Sequence, residues 1–285
     1  MNVELTSGRL VHFAGNTVRF SSDHTGILKA VETHFKYCVG EDGPLIANYK
    51  ITTANETDFS LSINGSDLIS KITYDQVLWH LMQEGIAQLN GASITGLVFH
   101  SAALAHDDNG LILCGGSGSG KSSLAAWLTA NGLQYLTDEV IALPTSPANG
   151  GEISGLCRSI ILKRGSAFIW QHRLVSKESD GFLQFDDGSA WITPTLLNAS
   201  AVRAKVTPRV LIFPQYIPEA QFSVQRLTPA EALFRLLQCL VNARNFPDYG
   251  MSATTRLARQ VTAYSLTYSD IEKATQWIQQ TITAG

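Results

Sequence analysis

Charge is scarce in this chain: 16% of its 285 residues are Asp, Glu, Lys or Arg, and the net charge is −3. There is no arginine-rich arm and no lysine run, so no nucleic-acid partner is expected. Long apolar runs are missing as well. None approaches the roughly 20 residues of a membrane span, and Met1-Asn2-Val3-Glu4 opens no basic segment leading into an apolar one. Neither a membrane nor a signal peptide is therefore expected. Cysteine is sparse and dispersed: Cys38, Cys114, Cys157 and Cys239 form no C-x-x-C pair. That pattern argues against a disulfide framework or a zinc site and predicts reduced thiols in a cytoplasmic protein. The histidines show no metal-ligand spacing, and there is no internal repeat.

What is present suits a globular protein with a substantial core, since 45% of the residues are hydrophobic. Residues 1–92 read as a small α/β region. Strands are expected at 11–13, 17–20, 50–53 and 59–63, with helices over 27–38 and 75–90. Residues 93–285 read as a second domain. It opens with a strand over 96–105, and Asp107-Asp108-Asn109-Gly110 supplies a hairpin turn into a second strand over 111–114. Further strands are expected at 134–137, 159–162 and 209–213. A helix is expected from Pro229 through Leu240, capped by Thr228. An antiparallel hairpin at the head of an α/β domain predicts a mixed sheet, unlike the parallel winding of dinucleotide folds.

Directly after the 111–114 strand runs Gly115-Gly116-Ser117-Gly118-Ser119-Gly120-Lys121-Ser122, which satisfies G-x-x-x-x-G-K-[ST] without a mismatch. Ser123 then begins a helical stretch that stops at Asn131-Gly132. Strand, glycine loop and helix are the context in which this motif binds phosphate. The glycines let backbone N–H groups turn toward phosphate oxygens, and the helix N-terminus adds partial positive charge. ATP is the expected nucleotide. Residues 115–123 would form its cradle, with Lys121 on the β- and γ-phosphates and Ser122 on Mg²⁺.

Asp138-Glu139 follows Lys121 by seventeen residues, at the end of the 134–137 strand. Catalytic groups collect at the carboxyl ends of such strands. One carboxylate could accept a proton from an attacking hydroxyl while the other holds Mg²⁺ or orients the first. His100, in the strand before the hairpin, could face this pair. Arg158, Lys163 and Arg164 are the basic candidates for contact with a transferring phosphoryl group, with Arg209, Arg235 and Arg244 behind them.

Taken in order, these features resemble the catalytic domain of HPr kinase/phosphorylase, and more closely the HPr kinase-related kinases. The likeness covers roughly residues 95–245. It consists of Phe99-His100-Ser101-Ala102, the hairpin, the glycine loop, Thr137-Asp138-Glu139 at the family's spacing, Glu152-Ile153-Ser154-Gly155-Leu156, Arg158-Ser159-Ile160-Ile161-Leu162-Lys163 and Phe213-Pro214-Gln215-Tyr216. The resemblance implies a P-loop kinase fold of the HPr kinase C-terminal type. It places Asp138 as general base, His100 in support, and Lys121 and Ser122 on nucleotide and Mg²⁺, with Glu139 and Glu152 as acidic metal partners. It implies phosphorylation of a serine in a protein or precursor peptide, and a homo-oligomeric assembly. Ser154 stands where the family's signature has arginine, which predicts that phosphate-driven dephosphorylation is weak or absent. Residues 1–92 would then recognise the substrate or build the oligomer. Two other readings use the same residues: a kinase for free serine or a sugar, and a nucleotide-sensing module without transfer.

Overall fold

The computed structural model describes residues 8–55, 57–145, 151–171 and 180–284. The chain divides between Ile94 and Thr95 into two compact units.

The first unit is a five-stranded mixed sheet in the order β1-β2-β3-β4-β5, with two helices. Its elements are β1 (Arg9–Phe13), β2 (Asn16–Ser22), α1 (Thr25–His34), β3 (Leu45–Thr53), β4 (Phe59–Ile63), β5 (Ser66–Ile72) and α2 (Tyr74–Gly91). β2 and β3 pair in parallel and the remaining neighbours are antiparallel. A crossover through α1 is what a parallel pair requires. The β4–β5 hairpin turns on Asn64-Gly65, both in the left-handed region at φ 50° and 84°, as a tight two-residue connection demands. α2 starts from a reciprocal capping box between Thr73 and Gln76 and buries Val77, Leu78, Leu81, Met82, Ile86 and Leu89. α1 ends four residues earlier than its apolar pattern suggests. Cys38 accepts the amide of His12 and Val39 bridges Val11, so the segment after Phe35 leaves the helix to pair with the edge of β1.

The second unit contains β6 (Gly96–His106), β7 (Asn109–Cys114), α3 (Lys121–Ala130), β8 (Gln134–Thr137), β9 (Val140–Pro144), β10 (Ile153–Gly155), β11 (Ile160–Leu162), α4 (Phe168–Gln171), β12 (Phe182–Gln184), β13 (Ala190–Ile192), α5 (Pro194–Leu197), β14 (Lys205–Tyr216), β15 (Ser223–Leu227), α6 (Pro229–Leu237), α7 (Met251–Gln260), β16 (Thr262–Tyr268) and α8 (Ile271–Ala284). Eight strands form a mixed sheet in the order β10-β9-β6-β7-β14-β16-β15, with β8 also on β6. β7, β14 and β16 are mutually parallel. β10 pairs with the start of β14 as well as with β9, closing a circuit of five strands. β11, β13 and β12 make a small antiparallel sheet of their own.

From Leu111 to Cys114, β7 is apolar because both its faces are covered. Leu111 and Leu113 join the core under α3 and α8, with Leu124, Leu128 and Ile278. Ile112 and Cys114 join the opposite core under α6 and α7, with Leu236 and Leu257. The β6–β7 turn falls on Asp107 and Asp108, between the paired residues His106 and Asn109. Among the described residues, no helix is long and apolar enough to cross a membrane.

α6 begins at the Thr228–Glu231 capping box but stops at Leu237, three residues short of the expected Leu240. Tertiary pairing ends it. The His100 amide donates to the Cys239 carbonyl at 2.8 Å, and the Val241 amide donates to the Val98 carbonyl at 2.8 Å. Residues 239–241 thus take the edge of β6 that β7 vacates when it turns into the glycine loop.

Candidate active site

β7 ends at Cys114, and residues 115–120 carry the chain from the sheet into α3. Gly118 and Gly120 have φ of 81° and 91°, where side chains are disfavoured. A Cβ on Gly120 would also stand 2.7 Å from the Tyr268 hydroxyl oxygen. Gly116, Ser117 and Gly118 form an exposed rim. Leu124 makes the first intrahelical bond, to Gly120 at 2.9 Å. The amides of Lys121, Ser122 and Ser123 precede it and belong to the helix's N-terminal donors. Lys121 is 6% exposed, and its ammonium donates to the carbonyls of Gly115 at 2.5 Å and Gly116 at 3.2 Å. Burial lowers its pKa, against nearby acidic groups that include Glu139 and Asp138. Ser122 is half-buried in the first turn of α3, and the Ser123 hydroxyl lies 2.5 Å from that of Ser166.

The acidic pair occupies the turn between β8 and β9. Both strands pair with the same edge of β6, so the turn falls opposite Ser101, whose amide donates to the Glu139 carbonyl at 3.1 Å. Ser101 is paired with Cys114 on its other edge. One residue of β6 therefore separates the acidic turn from the root of the glycine loop.

The two carboxylates are held differently. Asp138 Oδ1 accepts from the Tyr135 hydroxyl at 2.8 Å and lies 3.4 Å from Arg158 Nη1, and the Tyr135 oxygen accepts the Asp138 amide at 2.9 Å. Glu139 Oε2 receives Arg158 Nη2 at 2.6 Å, and Oε1 lies 3.5 Å from His100 Nδ1. The Asp138 side chain is 1% exposed and that of Arg158 is 2%, against 28% for Glu139. Burial would raise the Glu139 pKa, but the His100 hydrogen bond and the Arg158 guanidinium overcome it and hold the carboxyl at about 2. Burial likewise acts to lower the Arg158 pKa, and Asp138 and Glu139 reverse that to a net rise.

A depressed carboxylate contributes stability above its unfolded value that is lost as pH falls through the folded one. The Glu139 share should therefore be present at pH 5 and fade between about pH 4.5 and pH 2. Urea midpoints of the wild type and Glu139→Gln should differ at pH 5 and converge toward pH 2. A gap that stays constant over this range would refute the ion pair.

The structure gathers His100, Lys121, Ser122, Asp138, Glu139 and Arg158 on neighbouring elements. Arg158 is engaged by the acidic pair rather than presented to a phosphate. Lys163 is exposed at the head of the short turn Arg164–Ser166, whose last residue touches Ser123. Glu152 is not brought in. β10 runs antiparallel to β9 with Ser154 opposite Ala142, so exposed Glu152 lies at the far end of both strands from Glu139. Its assignment as a metal partner is corrected on that ground. Among the described residues, no group of three or more His, Cys, Asp or Glu could hold a metal unaided.

Sequence reasoning missed Tyr135 and Cys239 as site residues, and Arg235, a secondary basic candidate, lines the same cavity as Cys239. A cavity of about 670 Å³ opens beside the loop, with His100, Cys114, Tyr216, Arg235 and Cys239 among its walls. The Arg235 guanidinium lies 5.3 Å over the Phe213 ring and donates to the Ser265 hydroxyl at 3.2 Å. No local pattern marks these residues, because long-range pairing brings them to the loop.

Fold and site define a mixed α/β domain with a glycine-rich strand-to-helix loop facing a buried acidic–arginine cluster. No protein-family model matches the chain, and no curated protein matches it. Among solved structures, the HPr(Ser) kinase/phosphatase from Coxiella burnetii is similar at 12% identity and a TM-score of 0.32, over 64% of this chain and 94% of that one.

Proposed function

We propose that this chain is an ATP- and Mg²⁺-dependent kinase that transfers the γ-phosphoryl group to a hydroxyl, that of a serine in a protein or peptide. The observation that carries this reading is the glycine loop with its buried Lys121, set one residue of β6 away from the acidic turn. The left-handed glycines and the open rim leave room for phosphates, and the N-terminal amides of α3 supply donors. The Lys121 ammonium would exchange its two loop carbonyls for phosphate oxygens. The Ser122 hydroxyl would hold Mg²⁺ together with those oxygens, and the ion would neutralise charge on the transferring group.

The acidic pair divides its work by exposure. Asp138, the proton acceptor by sequence, is enclosed by Tyr135 and Arg158 and fixes the guanidinium. Glu139 is the carboxylate with access to solvent, and we assign it to orienting the acceptor hydroxyl, with His100 holding its second oxygen. Little proton transfer has to precede a loose phosphoryl transition state, so an acceptor of low basicity suffices. The resemblance to HPr kinase-related kinases supports a serine acceptor, and it supports residues 1–92 in substrate recognition or self-association.

The test supplies γ-labelled ATP, Mg²⁺ and serine-containing peptides to the full chain. Label should appear as phosphoserine. ATP bound without transfer or hydrolysis would make the chain a sensing module, and label on free serine or a sugar would make it a small-molecule kinase. Glu139→Gln should lower turnover by roughly a hundredfold with ATP affinity nearly unchanged, whereas Asp138→Asn should lower the melting temperature further than Glu139→Gln does. If Asp138→Asn keeps its stability and loses turnover while Glu139→Gln keeps turnover, the two roles are reversed.

A further inference from the structure

Cys114 and Cys239 are far apart in sequence and adjacent in space. Cys114 is opposite Ser101 on one edge of β6, and Cys239 is opposite His100 on the same edge. Cys239 packs against the apolar cluster that contains Cys114, and its sulfur is the polar partner of the Cys114 thiol and the Gly115 amide. Cys114 is fully enclosed, while Cys239 is half-buried and, like Cys114, lines the cavity beside the loop. The other two cysteines, Cys38 and Cys157, are buried and contribute nothing to that cavity.

We propose that Cys114 and Cys239 are a peroxide-reactive thiol pair that closes to a disulfide at the root of the glycine loop. The ionisable groups facing them are Lys121 and His100. The hydrogen bond from Cys114 pulls the Cys239 thiol below its ordinary pKa. Burial opposes this, and Lys121, His100 and the Gly115 amide reinforce it. Cys114, as the donor and by burial, is pushed up. The pair is thus split into an accessible thiolate and an inner thiol, the arrangement that favours attack by one and resolution by the other.

The chemistry balances with hydrogen peroxide as oxidant. The Cys239 thiolate attacks one peroxide oxygen, the O–O bond breaks, and hydroxide leaves behind a sulfenic acid. Cys114 then attacks the Cys239 sulfur, forming the S–S bond while its own proton and the sulfenic hydroxyl leave as water. Two sulfurs are oxidised by two electrons in total, and one peroxide is reduced to a water and a hydroxide, the hydroxide taking up the proton that the Cys239 thiol released on ionising.

A disulfide would remove the acceptor of the Gly115 amide and tie the end of β7 to residues 239–241. Lys121 is bonded to Gly115, so the oxidised chain should bind ATP several-fold more weakly. This consequence rests on the nucleotide reading above, and the disulfide itself does not.

The experiment treats the reduced full chain with hydrogen peroxide, alkylates the remaining thiols after denaturation, and maps peptides by mass spectrometry. A linked Cys114–Cys239 peptide is expected, with Cys38 and Cys157 alkylated. Cys239→Ser should abolish the link, and Cys114→Ser should leave a sulfenic acid at Cys239 that a 1,3-dione captures. Cys239 should react at least about tenfold faster than Cys38 or Cys157. A link through Cys38 or Cys157, or a Cys239 that reacts no faster than they do, overturns the proposal. With the link formed, unchanged ATP affinity overturns its coupling to the loop. A reduced chain that fails to bind ATP overturns the nucleotide reading, and the linked peptide then still establishes the thiol pair.

Discussion

Lys121→Ala should erase phosphoryl transfer and weaken ATP binding by roughly ten- to a hundredfold, the equivalent of the charge-assisted hydrogen bonds it removes. The same substitution should leave the melting temperature unchanged or raise it. The Lys121 ammonium is buried against neutral carbonyls, and burial lowers its pKa. A lysine whose folded value lies below its unfolded one weakens the fold at neutral pH, because the unfolded chain holds the proton more tightly. Removing it relieves that cost and empties the site of its central charge. Stability and binding should therefore move apart, a common signature of a functional group held under strain. Calorimetric titration with ATP and a thermal melt on the same sample read both. An unchanged ATP affinity would refute the assignment of the loop, and a large fall in melting temperature would show Lys121 to be structural.

Arg158→Leu should be among the most damaging substitutions to the fold. The guanidinium sits between Asp138 and Glu139 with its side chain 2% exposed. Its removal leaves neighbouring carboxylates facing each other with no compensating charge. Breaking a buried pair in this way costs about 3–5 kcal/mol, a loss on the order of 10 °C in melting temperature for a unit of this size. The Glu139 carboxyl, no longer held at about 2, should then titrate at higher pH and carry the acid-side loss of stability upward with it. Arg158→Lys should recover part of the loss, since it restores the charge and not the two-pronged geometry. Denaturant midpoints for the three proteins at pH 7 and pH 4 test this, and a leucine variant as stable as the wild type would refute it.

Much of the scaffold was legible in the sequence wherever local pattern and tertiary role agree. The 111–114 strand is apolar on both faces, its glycines follow at once, and Asp107-Asp108 and Asn64-Gly65 announce their turns. β5 escaped notice because it is largely exposed and so shows no apolar alternation. The 159–162 strand is present as β11, while β10, β12 and β13, at three residues each, are too short to display a period. β14 is longer than its apolar heart suggests. It carries Pro208 beside a register shift and continues to Tyr216, and proline at an irregularity does not end a strand. At the site, the loop and the acidic pair were visible as letters. Which carboxylate would be enclosed was not, because Tyr135 and Arg158 decide that from outside the motif.

The hold of residues 239–241 on β6 has a consequence for how the chain is made. The Asn242 side chain reinforces it, accepting the Val98 amide at 2.8 Å and donating to the Gly96 carbonyl at 3.0 Å. Until that stretch leaves the ribosome, the 98–100 edge of β6 has no partner there, although the strands on its other side are already synthesised. An open edge flanked by Val98 and Phe99 is a template for pairing with another chain. Translation slowed or cut short between β9 and residue 241 should therefore yield a species that aggregates, even though the glycine loop and the acidic turn are both complete in it.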